Sequence, residues 1–126
     1  MIENGAVVWS ELMTRDVDKA MAFCGATLGL GFEATGAGNP GYWIAKIDGR
    51  PAWGIMDMAG KPGGPSGWFT YMSVDDVDAK VAAALEAGAE LCMPVFGVPT
   101  VGRIAILQDP LGAMIGWMTP EMGGKG

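Results

Sequence analysis

The chain has 126 residues, half of them apolar, and its 14 acidic and 8 basic residues give a net charge of −6. This length predicts one domain with enough apolar side chains for a core. The acidic balance disfavours nucleic acid as a partner, because a basic face supplies most of the affinity for phosphate, and it favours neutral or cationic small molecules. No apolar run approaches the roughly 18 residues that span a bilayer. The N-terminus does not resemble a signal peptide, so we expect a cytoplasmic protein with no membrane partner.

The amino-acid inventory restricts the possible chemistry. There is no histidine, which removes the commonest metal ligand, the usual general base at neutral pH, and any Ser–His or Cys–His pair. The two cysteines, Cys24 and Cys92, form no CxxC pair. In a cytosolic chain both are expected to be reduced and buried, Cys24 as a small apolar side chain on the helix face.

The first half of the chain reads as a strand, a helix and three short strands. Residues 6–13 are rich in β-branched and aromatic types, which predicts a strand. Asp16 is placed to cap a helix, whose apolar face carries Val17, Ala20, Met21, Cys24 and Leu28. Gly29 and Gly31 are expected to end that helix. Three short strands are then predicted in "FEAT", "YWIAKI" and "PAWGIMDM", separated by the turn-forming segments "GAGNPG" and "DGR".

The second half repeats this order after a linker. Residues 59–67, "AGKPGGPSG", are the predicted linker. A strand in "WFTYMSV" leads to a helix capped by Asp76, with Val77, Val81, Ala84 and Leu85 on one face. Strands are predicted in "ELCMPV", "GRIAIL" and "AMIGWM", and residues 120–126 are expected to form a flexible tail.

The two halves therefore predict an internal duplication. Asp16-Val17-Asp18 and Asp76-Val77-Asp78 lie about 60 residues apart, each at the start of a helix. The expected fold is α+β, a tandem βαβββ arrangement with repeats over about 6–58 and 68–118 of a single domain, residues 1–119. Two twisted sheets of this kind can face one another and enclose a cleft.

Specific motifs in this arrangement resemble a known superfamily. "WSELMTRDVDKAMAFCGATLGLGF", "WFTYMSVDDVDA" and "VGRIAILQDPLGA" are similar to motifs of the vicinal oxygen chelate superfamily, in its glyoxalase and bleomycin-resistance-like branch. The superfamily also holds extradiol dioxygenases. The resemblance covers residues 7–118, and one departure is Cys24, where the branch usually has tyrosine. It implies a cleft between two curved mixed sheets and a tendency to dimerise, so we expect a homodimer, swapped or unswapped.

The resemblance also implies four metal-ligand positions, one on each of four strands. Carried over to this sequence, they fall on Trp9, Met56, Phe69 and Gly116. None of these side chains offers an oxygen or imidazole ligand for a hard or borderline divalent ion. We therefore expect no metal and no other cofactor.

The alternation of side chains along a strand predicts which residues share the cleft with those four positions. The expected aromatic and methionine-rich lining would suit a flat apolar ligand. The predicted ligand-binding residues are Trp9, Met13, Met56, Met58, Phe69, Tyr71, Met114, Gly116 and Met118, with Arg103 as a possible partner for an anionic group. Trp9 and Phe69 have the alternative of plain core residues, and Arg103 that of a structural arginine.

Glu11 is the one carboxylate on the predicted inner face. In an apolar cleft its pKa would rise above its ordinary value, so that it could act as a general base or pair with a cationic ligand. The alternative is that Glu11 forms a salt bridge with Arg15 or Arg103, or reaches solvent. Tyr71 could donate a hydrogen bond to a ligand or simply pack.

These observations leave several functions open. The favoured one is a small-molecule binding protein that sequesters a flat apolar or cationic aromatic compound without a metal. The alternative is a metal-independent lyase or isomerase that uses Glu11 as its base. A metal-dependent glyoxalase or dioxygenase is disfavoured by the four substitutions, and an interaction subunit without a ligand of its own is a further possibility. A phosphate-binding loop is excluded, because "GKPGGPSG" has neither the required ending nor a strand–helix context.

Overall fold

The computed structural model describes residues 2–36, 41–99 and 101–121. The described chain forms two compact units. The central unit is Trp9–Phe69, and the terminal unit comprises the described residues within Met1–Val8 and Thr70–Gly126. Of the predicted flexible tail, residues 122–126 lie outside the described residues.

The central unit contains one helix and four paired strands. In chain order these are β1 (Val7–Thr14), α1 (Val17–Leu28), β2 (Gly31–Ala34), β3 (Tyr42–Ile47) and β4 (Arg50–Asp57). The strands lie in the order β2–β3–β4–β1, with β1 parallel to β4 and the other neighbours antiparallel. Between the parallel strands β1 and β4, the chain passes through α1, β2 and β3.

The terminal unit repeats this plan with one strand interrupted. Its elements are β5 (Gly67–Ser73, whose first residues, 67–69, count with the central unit), α2 (Val77–Glu86), β6 (Glu90–Leu91), β7 (Phe96–Val98), β8 (Gly102–Gln108) and β9 (Met114–Pro120). The strands lie in the order β5–β9–β8–β6, and β7 also pairs with β8. As in the central unit, the first strand is parallel to the last, here β5 to β9. The predicted α+β fold with tandem βαβββ repeats is thus confirmed.

The helix starts show why the repeats fold alike. The Asp16 carboxylate accepts a hydrogen bond from the Lys19 amide at 3.0 Å, and the Asp76 carboxylate accepts one from the Ala79 amide at 3.2 Å. Each bond satisfies an amide that has no partner within its helix. Both predicted N-caps are confirmed. Gly29 ends α1 in the left-handed conformation, at φ 72°, which a residue without Cβ adopts at little cost.

The sequence prediction was wrong in detail at the strand "ELCMPV". The structure keeps only Glu90–Leu91 as β6, and the chain pairs with β8 again from Phe96. Pro94 lies in the gap, and because proline has no N–H it cannot donate to a strand ladder. The buried face of each helix is also narrower than predicted. Leu28 and Leu85 were expected on those faces, but they are 65% and 47% exposed.

Each unit buries one face of its sheet beneath its helix. In the terminal unit Val77, Val81 and Ala84 of α2 pack with Ala105 and Leu107 of β8 in a buried cluster. On the helix side of the central unit, the buried side chains Cys24, Ala45 and Ile55 form a smaller apolar layer. Three aromatic rings extend this layer edge to face, with centroids 6.5 Å apart for Phe32 and Trp53 and 4.9 Å apart for Trp53 and Trp68. The burial expected for Cys24 is confirmed, whereas that expected for Cys92 is wrong, since Cys92 is exposed. None of the helices in the described ranges has the length and apolar character to cross a membrane.

Candidate functional site

The sheet face of the central unit that points away from α1 carries four of the predicted site residues. Glu11 pairs with Gly54 and Met13 pairs with Met56 across the parallel β1–β4 ladder. Because paired residues point to the same side of a sheet and alternate along each strand, Trp9 shares this side. We call it the Trp9 face. It consists of Trp9, Glu11, Met13, Tyr42, Ile44, Gly54 and Met56.

Tyr42 holds Trp9 in place on this face. The indole Nε1 of Trp9 donates a hydrogen bond to the Tyr42 hydroxyl at 2.8 Å. To make it, the Tyr42 side chain starts on β3, crosses β4 at Gly54 and reaches β1. A Cβ atom on Gly54 would lie 1.8 Å from the Tyr42 hydroxyl oxygen and 2.4 Å from Cζ. Only glycine at position 54 therefore leaves room for the ring, the role expected where another group closely approaches a strand backbone.

The sequence analysis assigned no face to β3 and so did not identify Tyr42 and Ile44, whose facing depends on a β-bulge. In the β3–β4 hairpin, Ile47 lies opposite Arg50 and Lys46 lies opposite Pro51. The register then shifts by one residue, so that Ala45 lies opposite Trp53. An unbroken hairpin would place Tyr42 opposite Ile55, on the helix side. One extra residue moves every later side chain to the other face. The proline at position 51 is the one signal in the sequence for this irregularity.

Glu11 lies buried in the middle of the Trp9 face. It is 3% exposed and sits opposite Gly54. The alternative in which Glu11 reaches solvent is therefore wrong. The Arg15 guanidinium donates to the backbone carbonyls of Met58, Lys61 and Gly64, so its described bonds do not go to Glu11. A buried carboxylate beside apolar side chains can serve as a base or as a partner for a cation.

Met58 follows the end of β4, and its placement depends on the same arginine. The Met58 amide donates to the Thr14 carbonyl at 2.8 Å, which continues the β1–β4 pairing by one residue. The Met58 carbonyl in turn accepts from Arg15. Arg15 therefore holds the predicted linker in a defined conformation. Its guanidinium binds carbonyls along the linker, and the Arg15 backbone amide donates to the Ser66 hydroxyl at 2.9 Å.

The terminal unit presents a second group of predicted residues on one face of its sheet. Tyr71 pairs with Gly116 and Ser73 pairs with Met118 across the parallel β5–β9 ladder, and Met114 follows the same alternation. Phe69 precedes Tyr71 by two residues on β5 and so points the same way. Phe69 and Tyr71 are buried, whereas Met114 is 47% exposed. Ile104 and Ile106 of β8, opposite Met118 and Gly116, were missed by the sequence reasoning.

Arg103 is not brought together with these residues. It alternates to the other side of β8, where its Nε and Nη2 donate to the two Asp78 carboxylate oxygens at 2.7 and 3.0 Å. The hydrogen bond from Arg103 holds the pKa of Asp78 below its usual range, and Asp78 raises the pKa of Arg103. The structure thus gives Arg103 the structural contact that was its alternative reading, and its predicted ligand binding stays a prediction.

The residues at the four expected metal positions do not fit a divalent cation. Trp9 has only a donor N–H, which is bound to Tyr42. Met56 supplies a thioether, while Phe69 and Gly116 supply no ligand atom. Within the described ranges no three Cys, Asp or Glu side chains gather as a metal-binding group. The cleft predicted between the repeats, and the place of these four residues in it, stay predictions.

Comparison with known proteins identifies relatives across almost the whole chain. The family model described as the Glyoxalase/Bleomycin resistance protein/Dioxygenase superfamily matches residues 6–116. CFP32 of Mycobacterium tuberculosis, provisionally named a glyoxylase, is 36% identical over 119 residues, which are 94% of this chain and 45% of that protein. The anthracycline biosynthesis protein DauV of a Streptomyces species is 35% identical over 109 residues, 86% of this chain and 39% of that protein. The chain spans less than half the length of these relatives.

A solved structure supports the fold independently. A methylmalonyl-CoA epimerase of Streptomyces coelicolor superposes with a TM-score of 0.64 at 17% identity, covering 95% of this chain and all of that one. At this identity the likeness bears on the fold alone.

Proposed function

Because this chain belongs to the Glyoxalase/Bleomycin resistance protein/Dioxygenase superfamily, we propose that it binds a small, flat aromatic compound and uses no metal to do so. The observation that carries the proposal is the set of residues at the four positions where the superfamily resemblance implies metal ligands: Trp9, Met56, Phe69 and Gly116. On the Trp9 face an indole and methionines replace the donors that a metal would need. Aromatic and methionine side chains provide flat and adaptable apolar contacts for such a ligand.

The polar groups of the Trp9 face favour a cationic ligand over an anionic one. Glu11 is the carboxylate of that face and is 3% exposed. The net charge of −6 adds a long-range attraction for cations. A relative named for anthracycline biosynthesis gives independent support for a flat ligand, since anthracyclines are planar polycyclic aromatics.

The experiment is a thermal denaturation series with and without EDTA. The probes are proflavine, a planar aromatic cation, anthraquinone-2-sulfonate, a planar aromatic anion, and hexyltrimethylammonium, a cation without a ring. We expect proflavine to raise the melting temperature progressively with concentration, because a ligand that binds only the folded state stabilises it by mass action. The shift should be the same in EDTA. A shift that EDTA abolishes, or equal shifts with all three probes, would contradict the proposal.

A second candidate is supported by the burial of Glu11. A buried carboxylate can act as a general base toward a ligand bound beside it, so the same face could serve a metal-independent lyase or isomerase. Glu11→Gln separates the two candidates, because glutamine keeps the shape and removes the base. Lost turnover with retained ligand affinity would favour the enzyme. Weaker binding of proflavine, with affinity for neutral aromatics retained, would favour a cation-binding role.

We also propose that the protein forms a homodimer. Phe23 and Leu28 on α1 are 66% and 65% exposed, and covering such side chains with a second chain would remove their apolar surface from water. Light scattering after size exclusion should give twice the chain mass. A monomer mass for the unaltered chain would contradict the dimer. A dimer that persists in both Phe23→Glu and Leu28→Glu would contradict the use of α1 in its interface.

A further inference from the structure

We propose that Tyr42 is the specificity-determining residue of the Trp9 face, and that its ring is the surface on which a planar ligand stacks. This inference rests on the proposed function and names the residue that would select for flatness. Its basis is the geometry of three strands: the ring starts on β3, lies over Gly54 of β4 and is fixed by Trp9 of β1.

The first step of the argument is the position of the ring. The hydroxyl oxygen, Cζ and Cε2 of Tyr42 lie 1.8, 2.4 and 2.9 Å from the place where a Gly54 Cβ would stand. The ring therefore occupies the space directly above the β4 backbone, where a side chain would project in an ordinary strand. Tyr42 is half-buried, so part of the residue is exposed to solvent.

The second step is the rigidity of the ring. The hydrogen bond from Trp9 Nε1 at 2.8 Å fixes the far end of the Tyr42 side chain, and the strand fixes its near end. A ring held at both ends loses little entropy when a ligand stacks on it, and pre-organisation of this kind favours binding. Stacking on an aromatic side chain favours any flat π-system over a bulky one.

The third step is the neighbourhood of the ring. Tyr42 lies opposite Met56, which lies opposite Met13, so two methionines continue the surface across the sheet. Glu11 lies beside Gly54, next to the backbone that the ring crosses. An aromatic plane flanked by thioethers and a buried carboxylate suits a planar aromatic cation.

The test measures the Kd of proflavine by isothermal titration calorimetry for the intact chain and its variants. Tyr42→Ala, which removes the ring, should weaken binding at least about tenfold. Tyr42→Phe and Trp9→Phe, which each remove the hydrogen bond, should weaken it about fivefold. The double variant Trp9→Phe/Tyr42→Phe should be no weaker than the poorer single variant, because both changes remove the same bond. Trp68→Phe is the matched control, since Trp68 contacts Trp53 on the other side of the sheet.

The outcomes separate this inference from the function on which it rests. Proflavine binding that is unchanged in Tyr42→Ala would overturn the role of Tyr42 and leave the proposed function standing. Absence of proflavine binding by the unaltered chain would overturn both. Losses in the double variant equal to the product of the single losses would show that Trp9 contacts the ligand independently and does not position Tyr42. Circular dichroism and melting of each ligand-free variant identify any that fail to fold, and Tyr42→Phe, the mildest change, then carries the test.

Discussion

Asp78 and Arg103 join the first turn of α2 to β8 through two parallel hydrogen bonds, at 2.7 and 3.0 Å. The pKa of Asp78 is lowered from its ordinary value of 3.8, chiefly by the hydrogen bond from Arg103. A carboxyl whose pKa is lower in the folded state stabilises the fold above its unfolded pKa, and this stabilisation is lost as the pH falls through the folded value. Both side chains are about half exposed, so solvent screens the contribution.

The first prediction concerns this pair and acid. Asp78→Asn should lower the melting temperature slightly near neutral pH. The difference from the unaltered chain should shrink as the pH falls from about 4, where Asp78 protonates in the unfolded state, through the lower pKa of the folded state, below which it is protonated in both. Asp18→Asn is the control. Asp18 occupies the equivalent place in the first turn of α1, and no guanidinium binds it among the described contacts. The difference in melting temperature between Asp18→Asn and the unaltered chain should reflect only the interaction of the Asp18 charge with the helix dipole. Equal pH profiles for the two variants would show that the Arg103 bond contributes nothing.

The second prediction concerns the repeated helix caps. Asp16→Ala and Asp76→Ala should each reduce the free energy of unfolding by about 1 kcal/mol, because each leaves a helix amide without its acceptor. Asp16→Asn and Asp76→Asn should retain most of the stability, since asparagine caps equally well. Urea denaturation monitored by circular dichroism measures both. If alanine and asparagine gave the same loss at either site, the lost interaction would be the charge and not the cap.

These caps illustrate what the sequence could predict. Asp16 and Asp76 precede apolar positions at helical spacing, so a local pattern was enough to locate both helices. Alternation along β1 and β5 likewise predicted which side chains share a face with Trp9 and with Phe69. Local patterns carry such features because the causes lie within a few residues of their effects.

The third prediction concerns Gly54. Gly54→Ala should lower the free energy of unfolding by about 1–3 kcal/mol, because the new methyl group would occupy the position of the Tyr42 hydroxyl and force the ring aside. The displaced ring should also release Trp9, which changes the near-ultraviolet circular dichroism. Gly31→Ala is the control: Gly31 also lies in a strand, and a Cβ there would meet no atom within 4 Å. Similar effects from the two substitutions would mean that Tyr42 moves at no cost.

This glycine also marks where sequence reasoning fails. The contact of Gly54 with Tyr42 was not predicted, because the sequence analysis assigned no face to β3, and a bulge between Ala45 and Lys46 sets the side on which Tyr42 lies. A bulge arises from pairing between two strands and leaves only Pro51 as a trace in the sequence. The contact of Arg103 with Asp78 was not predicted for a different reason: Asp78 lies 25 residues away on a helix, and only the packed structure brings the two side chains together.

The fourth prediction concerns Arg15 and the loop between the repeats. The Arg15 guanidinium donates to the carbonyls of Met58, Lys61 and Gly64, and its amide donates to Ser66. Arg15→Lys keeps the charge but loses the planar fork that reaches several carbonyls at once. We expect faster amide hydrogen exchange across residues 58–66 and a loss of roughly 1–2 kcal/mol in the free energy of unfolding, as for hydrogen bonds to a charged group.

The control for that loop is Arg50→Lys, since Arg50 is exposed at the start of β4. It should leave exchange in residues 58–66 unchanged. The exchange measurement also distinguishes a local from a global effect. If Arg15 only shapes the loop, exchange rises there while β1 and β4 stay protected, because local opening needs less free energy than global unfolding. If protection fell equally in β1 and β4, Arg15 would instead stabilise the central unit as a whole, since the Met58 carbonyl it binds belongs to the residue that extends the β1–β4 pairing.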